Sequence, residues 1–449
     1  MAVVLGRAPA GRIAIGVAYS GGLDSSTLLH LMHGYAQQQA IKLVAFHVHH
    51  GLSANADAWL DHCAVECAKS NITFDAQRVQ ISGADSTGVE AAARNSRYAA
   101  LGAMCRRHDV PLLLTAHHQD DQAETVLLQL MRGSGVAGLS GMDIANAAPD
   151  LLGDASPMMA RPLLSMSRHQ LESYVTTHNI SHVDDESNTD TRYTRNALRH
   201  QMMPALSDNF PGFQARVARS AKHAQSAQRL LIELAMIDHA QCAEGNALVI
   251  SRMQILSIDR IDNLLRYWFG TRHIRMPSTA WLAELREQLF TAKADAQLCV
   301  THADCDIRRY RDQVFITPRR VEIDPEDKPR MTFQWSGESE MAFAQLRGRL
   351  LFESAKQGFP IDWLAAQSLV IALRTGGERL KPAANRPTRA LKYHYQARNV
   401  PAWERERVPV VTSTTVKQLL FAAGIGMDCT YFGTDESPKI ALRWEFDPA

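Results

Sequence analysis

The stretch of sequence that decides the fold is Ser20-Gly21-Gly22-Leu23-Asp24-Ser25-Ser26. It follows the apolar run Ile13–Ala18, which is typical of a buried strand, and it leads into an amphipathic helical pattern over Ser25–Gln38. The two glycines let backbone N–H groups converge, and the first turn of a helix favours negative charge. These features together predict an anion-binding turn between a strand and a helix.

The turn contains no lysine, which distinguishes it from the GxxxxGK[ST] loop that binds a transferred γ-phosphate. It carries Asp24 instead, and a carboxylate beside a bound phosphate is favourable mainly when Mg²⁺ bridges the two groups. The alternative is a plain strand-to-helix turn in which Asp24 or Ser25 caps the helix. The polar residues on both sides of the glycines favour the phosphate-binding interpretation.

Composition limits the class of protein. A length of 449 residues is too great for a single hydrophobic core, so two or three domains are expected. The chain is 46% hydrophobic and 21% charged, which is ordinary for a soluble protein. A net charge of +1 excludes a globally basic nucleic-acid binder but not local basic faces.

Cysteine usage and hydropathy bear on location. The seven cysteines are scattered and form no CxxC pair, which indicates free thiols in a reducing compartment. Cys63 and Cys67, four residues apart on a helical pattern, are expected to be buried thiols rather than metal ligands. Because there is no secretory signal pattern and no membrane-length apolar run, we expect a cytoplasmic protein without a membrane partner.

The N-terminal part alternates between strand and helix patterns. Strands are predicted at Ile13–Ala18, Leu43–Val48, Phe74–Ile81 and Pro111–Ala116, with helices between them at Ser25–Gln38, Ala56–Ala68 and Val89–His108. Repeated βαβ units predict a Rossmann-like parallel sheet in an α/β domain, with ligands at the carboxyl ends of the strands. Further on, Arg161–Leu164 is expected to end an edge strand, and Ser167–His178 to form a serine-capped helix.

A second polar stretch leaves the fourth of these strands and enters a helix: His117-His118-Gln119-Asp120-Asp121-Gln122-Ala123-Glu124-Thr125. Asp121 and Glu124 are three residues apart and therefore share one face of the helix. Helix capping would explain one acid, but not two adjacent acids that follow two histidines. Suitable roles are Mg²⁺ ligation, orientation of a cationic substrate, or removal of a proton from an attacking amine.

Basic residues recur at helical spacing in two places. Arg94 and Arg97 lie near one helix face and could reach phosphates, although a solvated face is nearly as compatible with the spacing. Arg192, Arg195 and Arg199 form a stripe that follows the nucleotide-binding region, so contact with a phosphate backbone is favoured there. The glycine-rich stretch Arg132–Met142 either packs over a ligand or is a flexible connector.

The rest of the chain predicts a mostly helical middle domain and a small α+β C-terminal domain. We place the domains at 1–213, 214–322 and 323–449, with an acidic linker near Val321–Asp327. The last domain has a basic block over Arg374–Arg407, interleaved with Tyr393, Tyr395 and Trp403, which suits RNA contact. Its cations up to Arg398 meet a single acid, Glu378, and are Arg374, Arg379, Lys381, Arg386, Arg389, Lys392 and Arg398.

Taken together, these motifs resemble the tRNA(Ile)-lysidine synthases of the PP-loop ATP-pyrophosphatase superfamily. The superfamily resemblance rests on SGGxDS at Ser20–Ser25, and the family resemblance on His117–Thr125, Arg132–Met142, Asp185–Arg199 and the basic block. The middle of the chain is similar only in position and size. One departure is Leu391-Lys392-Tyr393, where the family often has LKK, which puts one phosphate contact in doubt.

The resemblance implies a ligase that uses ATP and Mg²⁺. It adenylates the C2 oxygen of the wobble cytidine in tRNA(Ile) with a CAU anticodon and releases pyrophosphate. The ε-amine of free L-lysine then displaces AMP, which forms lysidine and changes codon reading from AUG to AUA. The resemblance also allows a homodimer.

The same resemblance assigns roles by matching position. ATP is expected at Ser20, Gly21, Gly22, Leu23, Asp24 and Ser25, with Mg²⁺ at Asp24 and Asp120. Lysine binding and catalysis are expected at His118, Asp121, Glu124 and Arg195, and contacts to the intermediate or anticodon at Arg94, Arg97, Arg192 and Arg199. The tRNA is expected at Arg374, Arg379, Lys381, Lys392 and Arg398.

Three other functions are weaker. Another PP-loop tRNA-modifying enzyme, such as a tRNA thiolase, usually needs cysteine pairs, which this chain lacks. A small-molecule PP-loop synthetase would leave the basic block without a purpose. A non-enzymatic RNA-binding module predicts degraded loop residues, whereas Ser20, Asp24 and Asp121 are intact.

Overall fold

The parallel sheet that the N-terminal repeats predict is present in the computed structural model. The structure describes residues 14–51, 53–80, 89–153, 157–184, 186, 194–292, 298–319, 328–433 and 438–447. Arg192 and the linker predicted near Val321–Asp327 lie outside the described residues. By packing, the chain divides into two units, Met1–Glu233 and Leu234–Ala449, and the three-domain division stays a prediction.

The first unit contains six strands in the order β3-β2-β1-β4-β6-β5. The strands are β1 (Ala14–Ala18), β2 (Lys42–His49), β3 (Thr73–Arg78), β4 (Leu112–Leu114), β5 (Ala145–Ala147) and β6 (Met158–Ala160). β1 pairs in parallel with β2 on one side and with β4 on the other, and β5 alone is antiparallel to its neighbour. The expectation that the strand before Arg161–Leu164 is an edge strand is wrong, because β5 pairs along the outer side of β6.

Helices cover both faces of this sheet. They are α1 (Leu23–Gln39), α2 (Ala56–Lys69), α3 (Val89–Arg107), α4 (Gln119–Met131), α5 (Val136–Leu139), α6 (Pro149–Leu152), α7 (Arg168–His178), α8 (Thr194–Ala197), α9 (Met203–Asn209) and α10 (Phe213–Cys242). A π-helical turn, Leu198–Met202, joins α8 to α9. Successive side chains of a strand point to opposite faces, so Leu112 and Leu114 enter one buried cluster and Leu113 enters another.

The second unit is built on antiparallel sheets. Its first sheet contains β7 (Ala243–Glu244), β8 (Ala247–Val249), β9 (Cys299–Thr301), β10 (Cys305–Tyr310) and β11 (Gln313–Pro318). The sequence predicts a mostly helical domain here and does not reveal β10, because the charged residues Asp306, Arg308 and Arg309 hide its apolar pattern. Asp306 and Arg308 form an ion pair of 3.0 Å within the strand, which lets both charges lie against the packed sheet.

Two further sheets and a two-stranded ribbon complete this unit. The strands are β12 (Arg330–Phe333), β13 (Glu340–Phe343), β14 (Gly348–Ala355), β15 (Phe359–Pro360), β16 (Leu369–Leu373), β17 (Arg379–Leu380), β18 (Arg389–Ala390), β19 (Pro409–Ser413), β20 (Gln418–Ala422), β21 (Gly426–Met427) and β22 (Lys439–Phe446). The helices are α11 (Ile250–Met253), α12 (Ile258–Gly270), α13 (Thr279–Thr291), α14 (Ile361–Ala365), α15 (Leu391–Ala397) and α16 (Ala402–Arg405). Across the described ranges, no helix combines the length and apolarity that crossing a membrane requires.

Candidate active site at the switch point of the sheet

The strand order brings the two polar stretches together. β1 lies between β2 and β4, so the chain leaves β1 toward one half of the sheet and later returns to the other half. Ligands of open α/β sheets bind in the crevice at such a switch point, outside the carboxyl ends of the strands. The glycine turn after β1 and the acidic start of α4 after β4 therefore border one crevice.

The glycine turn is held by short polar contacts. The Ser25 hydroxyl donates to the Gly22 carbonyl at 3.0 Å, and the Ser26 hydroxyl donates to the Gly21 carbonyl at 3.1 Å. Gly21 has a φ of +87°, and a Cβ built there would lie 2.9 Å from the sulfur of Cys63. Cys63 is fully buried, which agrees with the prediction of a structural thiol. Only glycine suits this position, because both the backbone angle and the space exclude a side chain.

The start of α4 is both capped and charged. The Asp121 carboxylate accepts from the His118 backbone N–H at 3.0 Å, and the His118 ring accepts from the Asp120 N–H at 3.3 Å. This reciprocal pair satisfies two free donors of the first turn. Capping is thus part of the explanation for these residues, but it leaves Glu124 and the second oxygen of Asp121 for other partners.

His118 lies between the glycine turn and the acidic helix. Its Nε2 is 3.7 Å from the Asp24 carboxylate and 3.4 Å from that of Asp121, and its side chain is almost wholly buried. Burial by itself lowers the pKa of His118, but the hydrogen bond with Asp120 and the charges of Asp121 and Asp24 raise it above its ordinary value. The ring therefore connects the predicted phosphate site with the predicted lysine site.

Asp121 and Glu124 form a four-charge cluster with Arg195 and Arg199. The two guanidiniums donate to Glu124 at 2.7 Å each and to Asp121 at 3.1 and 3.2 Å. Burial raises the pKa of Asp121, but the charges of His118, His117 and Arg195 outweigh burial and hold the pKa below its usual range. The arginines, four residues apart, lie on α8 and on the π-helical turn that follows it. Such turns are frequent at functional sites.

Arg168 also borders the crevice, although no sequence motif indicates it. It is the first residue of α7, directly after the predicted serine cap at Ser167, which the structure confirms. One guanidinium nitrogen of Arg168 donates to both carboxylate oxygens of Asp24, at 2.7 Å each. Its backbone N–H donates to the Asp120 carboxylate at 2.9 Å. A lone arginine at a helix start has no sequence signal, because its partner is 144 positions away.

Arg94 and Arg97 both contact the ring of Tyr98. Their guanidinium carbons lie 4.9 and 5.3 Å from the ring centre, a geometry that favours cation–π contact. Burial is the largest cause that lowers the pKa of His117. The positive charges of Arg94, Arg161 and Arg195 lower this pKa further. A neutral His117 and a group of arginines therefore make this side of the crevice electropositive.

The glycine-rich stretch packs against the acidic helix. The amide of Gln122 donates to the Met142 carbonyl at 3.0 Å and accepts from the Met142 N–H at 2.8 Å. The amide of Gln225 on α10 donates to the same carbonyl at 3.1 Å and to that of Ser140 at 2.9 Å. These contacts disfavour a flexible connector, and packing over a ligand, the other interpretation of this stretch, stays a prediction.

The donor set at Asp24 suits Mg²⁺, and that at Asp120 suits it less well. Both oxygens of Asp24 already face a cation, and the side chain is partly exposed at the mouth of the turn. The Asp120 carboxylate is engaged by the Arg168 N–H and lies 3.6 Å from His118. In the described parts of the chain, no three histidine, cysteine or acidic side chains are arranged to hold a metal by themselves. An ion here would need phosphate and water as its remaining ligands, which is usual for Mg²⁺.

In the second unit, the basic block separates into paired and exposed residues. Arg374 donates to Glu378 at 3.1 Å, and Arg398 donates to the carbonyls of Gly424 and Ile425. Lys381 is partly buried, whereas the cations left exposed besides Arg398 are Arg379, Arg386, Arg389, Lys392 and Arg407.

The predicted aromatic interleaving is only partly available to a ligand. Tyr395 and Trp403 are buried, and the Tyr395 hydroxyl donates to the Ala423 carbonyl at 2.8 Å. Trp403 packs edge-on against Phe315. The expectation that these two rings contact RNA is wrong, because they fill the core of the unit. Tyr393 is well exposed and remains available.

Comparison with known proteins matches one family model to the first unit and two family models to the second unit. Residues 5–206 match the model of a PP-loop domain, residues 248–315 that of a TilS substrate binding domain, and residues 369–444 that of a TilS substrate C-terminal domain. A tRNA(Ile)-lysidine synthase of Burkholderia pseudomallei is 41% identical over 97% of this chain and 93% of its own. The enzyme of the same name from Ralstonia nicotianae is 40% identical over 92% of this chain and 89% of its own.

Among solved structures, a U34-tRNA thiolase from Methanococcus maripaludis with its [4Fe-4S] cluster matches with a TM-score of 0.40. It is 17% identical, and the match covers 49% of this chain and 76% of that one.

Proposed function

Because the chain belongs to the tRNA(Ile)-lysidine synthase family, we propose that it ligates free L-lysine to C2 of the wobble cytidine in tRNA(Ile) with a CAU anticodon. ATP adenylates the C2 oxygen and pyrophosphate leaves. The ε-amine of lysine then forms a bond to C2 as the C2–O bond breaks and AMP leaves. The modified tRNA reads the isoleucine codon AUA instead of the methionine codon AUG.

The observation that carries this proposal is the four-charge cluster of Asp121, Glu124, Arg195 and Arg199. The side chain of His118 separates this cluster from the glycine turn. Lysine carries two ammonium groups and one carboxylate, so a site that recognises it needs partners of both signs. The cluster offers two carboxylates and two guanidiniums in one place. A site for a neutral or purely anionic second substrate would not need this arrangement.

The first step takes place at the glycine turn. The free N–H groups at the start of α1 point at the departing pyrophosphate, and donors fixed before the reaction stabilise the charge that develops there. Mg²⁺, held by Asp24 and the phosphate oxygens, would supply further charge neutralisation. His118 fixes the distance between Asp24 and Asp121, and thereby the distance between the two substrates.

The second step takes place at the acidic helix. Asp121 and Glu124 hold the ε-amino group beside C2, and holding two reactants in place is worth several kcal/mol of the barrier, on the order of 7 in the best cases. The ε-ammonium group must lose a proton before its nitrogen can attack C2, and the two carboxylates are the groups placed to accept that proton. Arg195 and Arg199 then face an anion, either the lysine carboxylate or the phosphate of AMP.

The remaining parts of the chain hold the tRNA. The regions matched by the two substrate-domain models lie in the second unit, where Arg379, Lys392 and Tyr393 are exposed. Arg94, Arg97 and the residue Arg192 are proposed to contact the intermediate or the anticodon loop. A cytoplasmic location follows from the need for tRNA, ATP and free lysine, and a homodimer stays a prediction of the family resemblance.

Incorporation of labelled lysine tests the proposal. Purified protein with ATP, Mg²⁺ and tRNA(Ile) bearing CAU is expected to attach lysine to the tRNA, and the same mixture without ATP is expected to attach none. Elongator methionine tRNA, which carries the same anticodon, is the matched control. If lysine enters both tRNAs at the same rate, or neither, the substrate assignment is wrong.

A further inference from the structure

We propose that Arg168 is a phosphate-binding residue that pairs with Asp24 only until ATP arrives, and that then transfers to the pyrophosphate end of ATP while Asp24 turns to Mg²⁺. This inference rests on the proposed use of ATP with Mg²⁺. It adds to the site a residue that sequence motifs do not reveal. It also supplies the cation that the glycine turn itself lacks.

The contacts of Arg168 divide into a fixed part and a movable part. Its backbone N–H is fixed by the Asp120 carboxylate at 2.9 Å, and it begins a helix capped by Ser167. Its guanidinium reaches Asp24 through a single nitrogen, at 2.7 Å to both oxygens, and its Nε contacts Glu172 at 3.0 Å. The side chain is 39% exposed, so it can swing without opening the core.

Arg168 is expected to move because it competes with the metal ion for the Asp24 carboxylate. A divalent ion and a guanidinium repel each other, and both require the same two carboxylate oxygens. When the ion binds Asp24, Arg168 loses its partner and remains at the mouth of the turn. The anion within reach is then the phosphate chain of ATP. Guanidinium groups match phosphate oxygens in geometry as well as charge, which makes this exchange favourable.

The alternative is that Arg168 only joins α1 to α7. The His118 ring also faces Asp24, at 3.7 Å, so Asp24 would keep one positive neighbour without the arginine. A purely structural ion pair predicts that removing Arg168 changes stability but affects metal and pyrophosphate binding alike. The transfer predicts opposite changes in the two affinities.

The test uses the full chain with two probes, Mn²⁺ alone and pyrophosphate with saturating Mn²⁺. Free Mn²⁺ is counted by its electron paramagnetic resonance, and pyrophosphate binding is measured by calorimetry. Arg168→Gln is expected to bind Mn²⁺ several-fold more tightly than the natural chain and pyrophosphate about tenfold more weakly, as loss of one charge-assisted contact predicts. Arg168→Lys, which keeps the charge without the fork, is expected to lie between the two and guards against misfolding of the glutamine variant.

Two reference variants serve as controls for Arg168→Gln. Glu172→Gln leaves the guanidinium on Asp24 and is expected to match the natural chain with both probes, whereas Asp24→Asn is expected to abolish tight Mn²⁺ binding. If either affinity of Arg168→Gln is unchanged, or if both change in the same direction, the transfer does not occur. No tRNA or lysine is present, so a failure of lysine incorporation would leave this outcome unaffected.

Discussion

Glu124 is a carboxylate held almost wholly out of water, with 2% of its side chain exposed. Burying a charge is costly unless it is paired and hydrogen-bonded, and Arg195 and Arg199 meet that condition from one side of the crevice. The pairing explains why helix α8 and the π-helical turn lie against α4. A residue that is proposed to bind substrate thus also fixes the segment that carries Arg195 and Arg199.

Replacing Glu124 by Gln is expected to lower the free energy of unfolding by roughly 2–3 kcal/mol, because two guanidiniums lose their ionised partner. Chemical denaturation with urea measures the change. Glu172→Gln removes a carboxylate of the same type from the surface and is expected to cost less than about 0.5 kcal/mol. Equal costs for the two variants would mean that the four-charge cluster adds no stability.

At this scale the sequence predicts half of the site. Asp121 and Glu124 are recognisable because their spacing places both on one helix face next to a strand end. Arg168 has no comparable pattern, since a single arginine after a serine cap is common in helices that bind nothing. Its proposed role depends on the packing of α7 against α1, which brings Arg168 beside Asp24.

The strand-to-helix turn is the element on which the site depends. Its shape is set by Gly21, whose φ of +87° lies in the left-handed region and whose open side is filled by the buried Cys63 sulfur. Gly22, the next residue, has a φ of −72° and no neighbour closer than 3.6 Å to an added Cβ. Of the two adjacent glycines, only Gly21 is therefore required by the backbone angle and by the space around it.

Gly21→Ala is expected to destabilise the chain by about 2 kcal/mol, because strain at the backbone adds to the clash with Cys63. The same variant is expected to raise the KM for ATP, since the N–H groups of the turn move. Gly22→Ala is the matched control and is expected to cost less than about 0.5 kcal/mol, because its backbone angle suits alanine. Thermal unfolding and steady-state kinetics of both variants check this. A larger loss from Gly22→Ala would contradict it.

Elements were predictable where their patterns are local. The βαβ repeats placed β1, β2 and β4 and the helices between them within a few residues of their observed bounds. The short strands β5, β7 and β8 and the charged β10 were missed although their partners are close in sequence, because two or three residues, or a strand rich in charges, show no alternating apolar pattern. Pairing with β11 stabilises β10 despite its charges, and a single-sequence pattern cannot show that.

For the whole molecule, near neutrality hides an uneven distribution of charge. The net charge is +1, yet Arg379, Arg386, Arg389 and Lys392 lie exposed within a short stretch of the second unit. The sequence predicted this basic block, but it could not separate the exposed residues from Arg374, which is paired with Glu378 and largely buried. The exposed basic surface therefore contains fewer residues than the basic block that the sequence predicts.

Reversing Arg379, Arg389 and Lys392 to Glu is expected to weaken tRNA binding and to flatten its dependence on salt by roughly two to three units of slope, because each lost phosphate contact removes nearly one released ion. Filter binding over a range of KCl concentrations measures both effects. Arg374→Gln is the comparison variant and is expected to leave the slope unchanged. A triple variant with the slope of the natural chain would show that this surface does not contact the tRNA backbone.

The double hydrogen bond between Gln122 and Met142 has a consequence for how the glycine-rich stretch can change. Gln122 recognises only the backbone N–H and C=O of residue 142, just as a neighbouring strand would. The position of the stretch is therefore set by helix α4, and it requires glycine at position 141, where an added Cβ would lie 2.8 Å from the Gln122 amide oxygen. The exposed residues 135–137 are open to redesign or natural variation while the end of the loop stays in place, whereas Gly133 has a φ of +68° and a Cβ added at Gly138 would lie 2.5 Å from Ser134. Proline is the residue that position 142 must avoid.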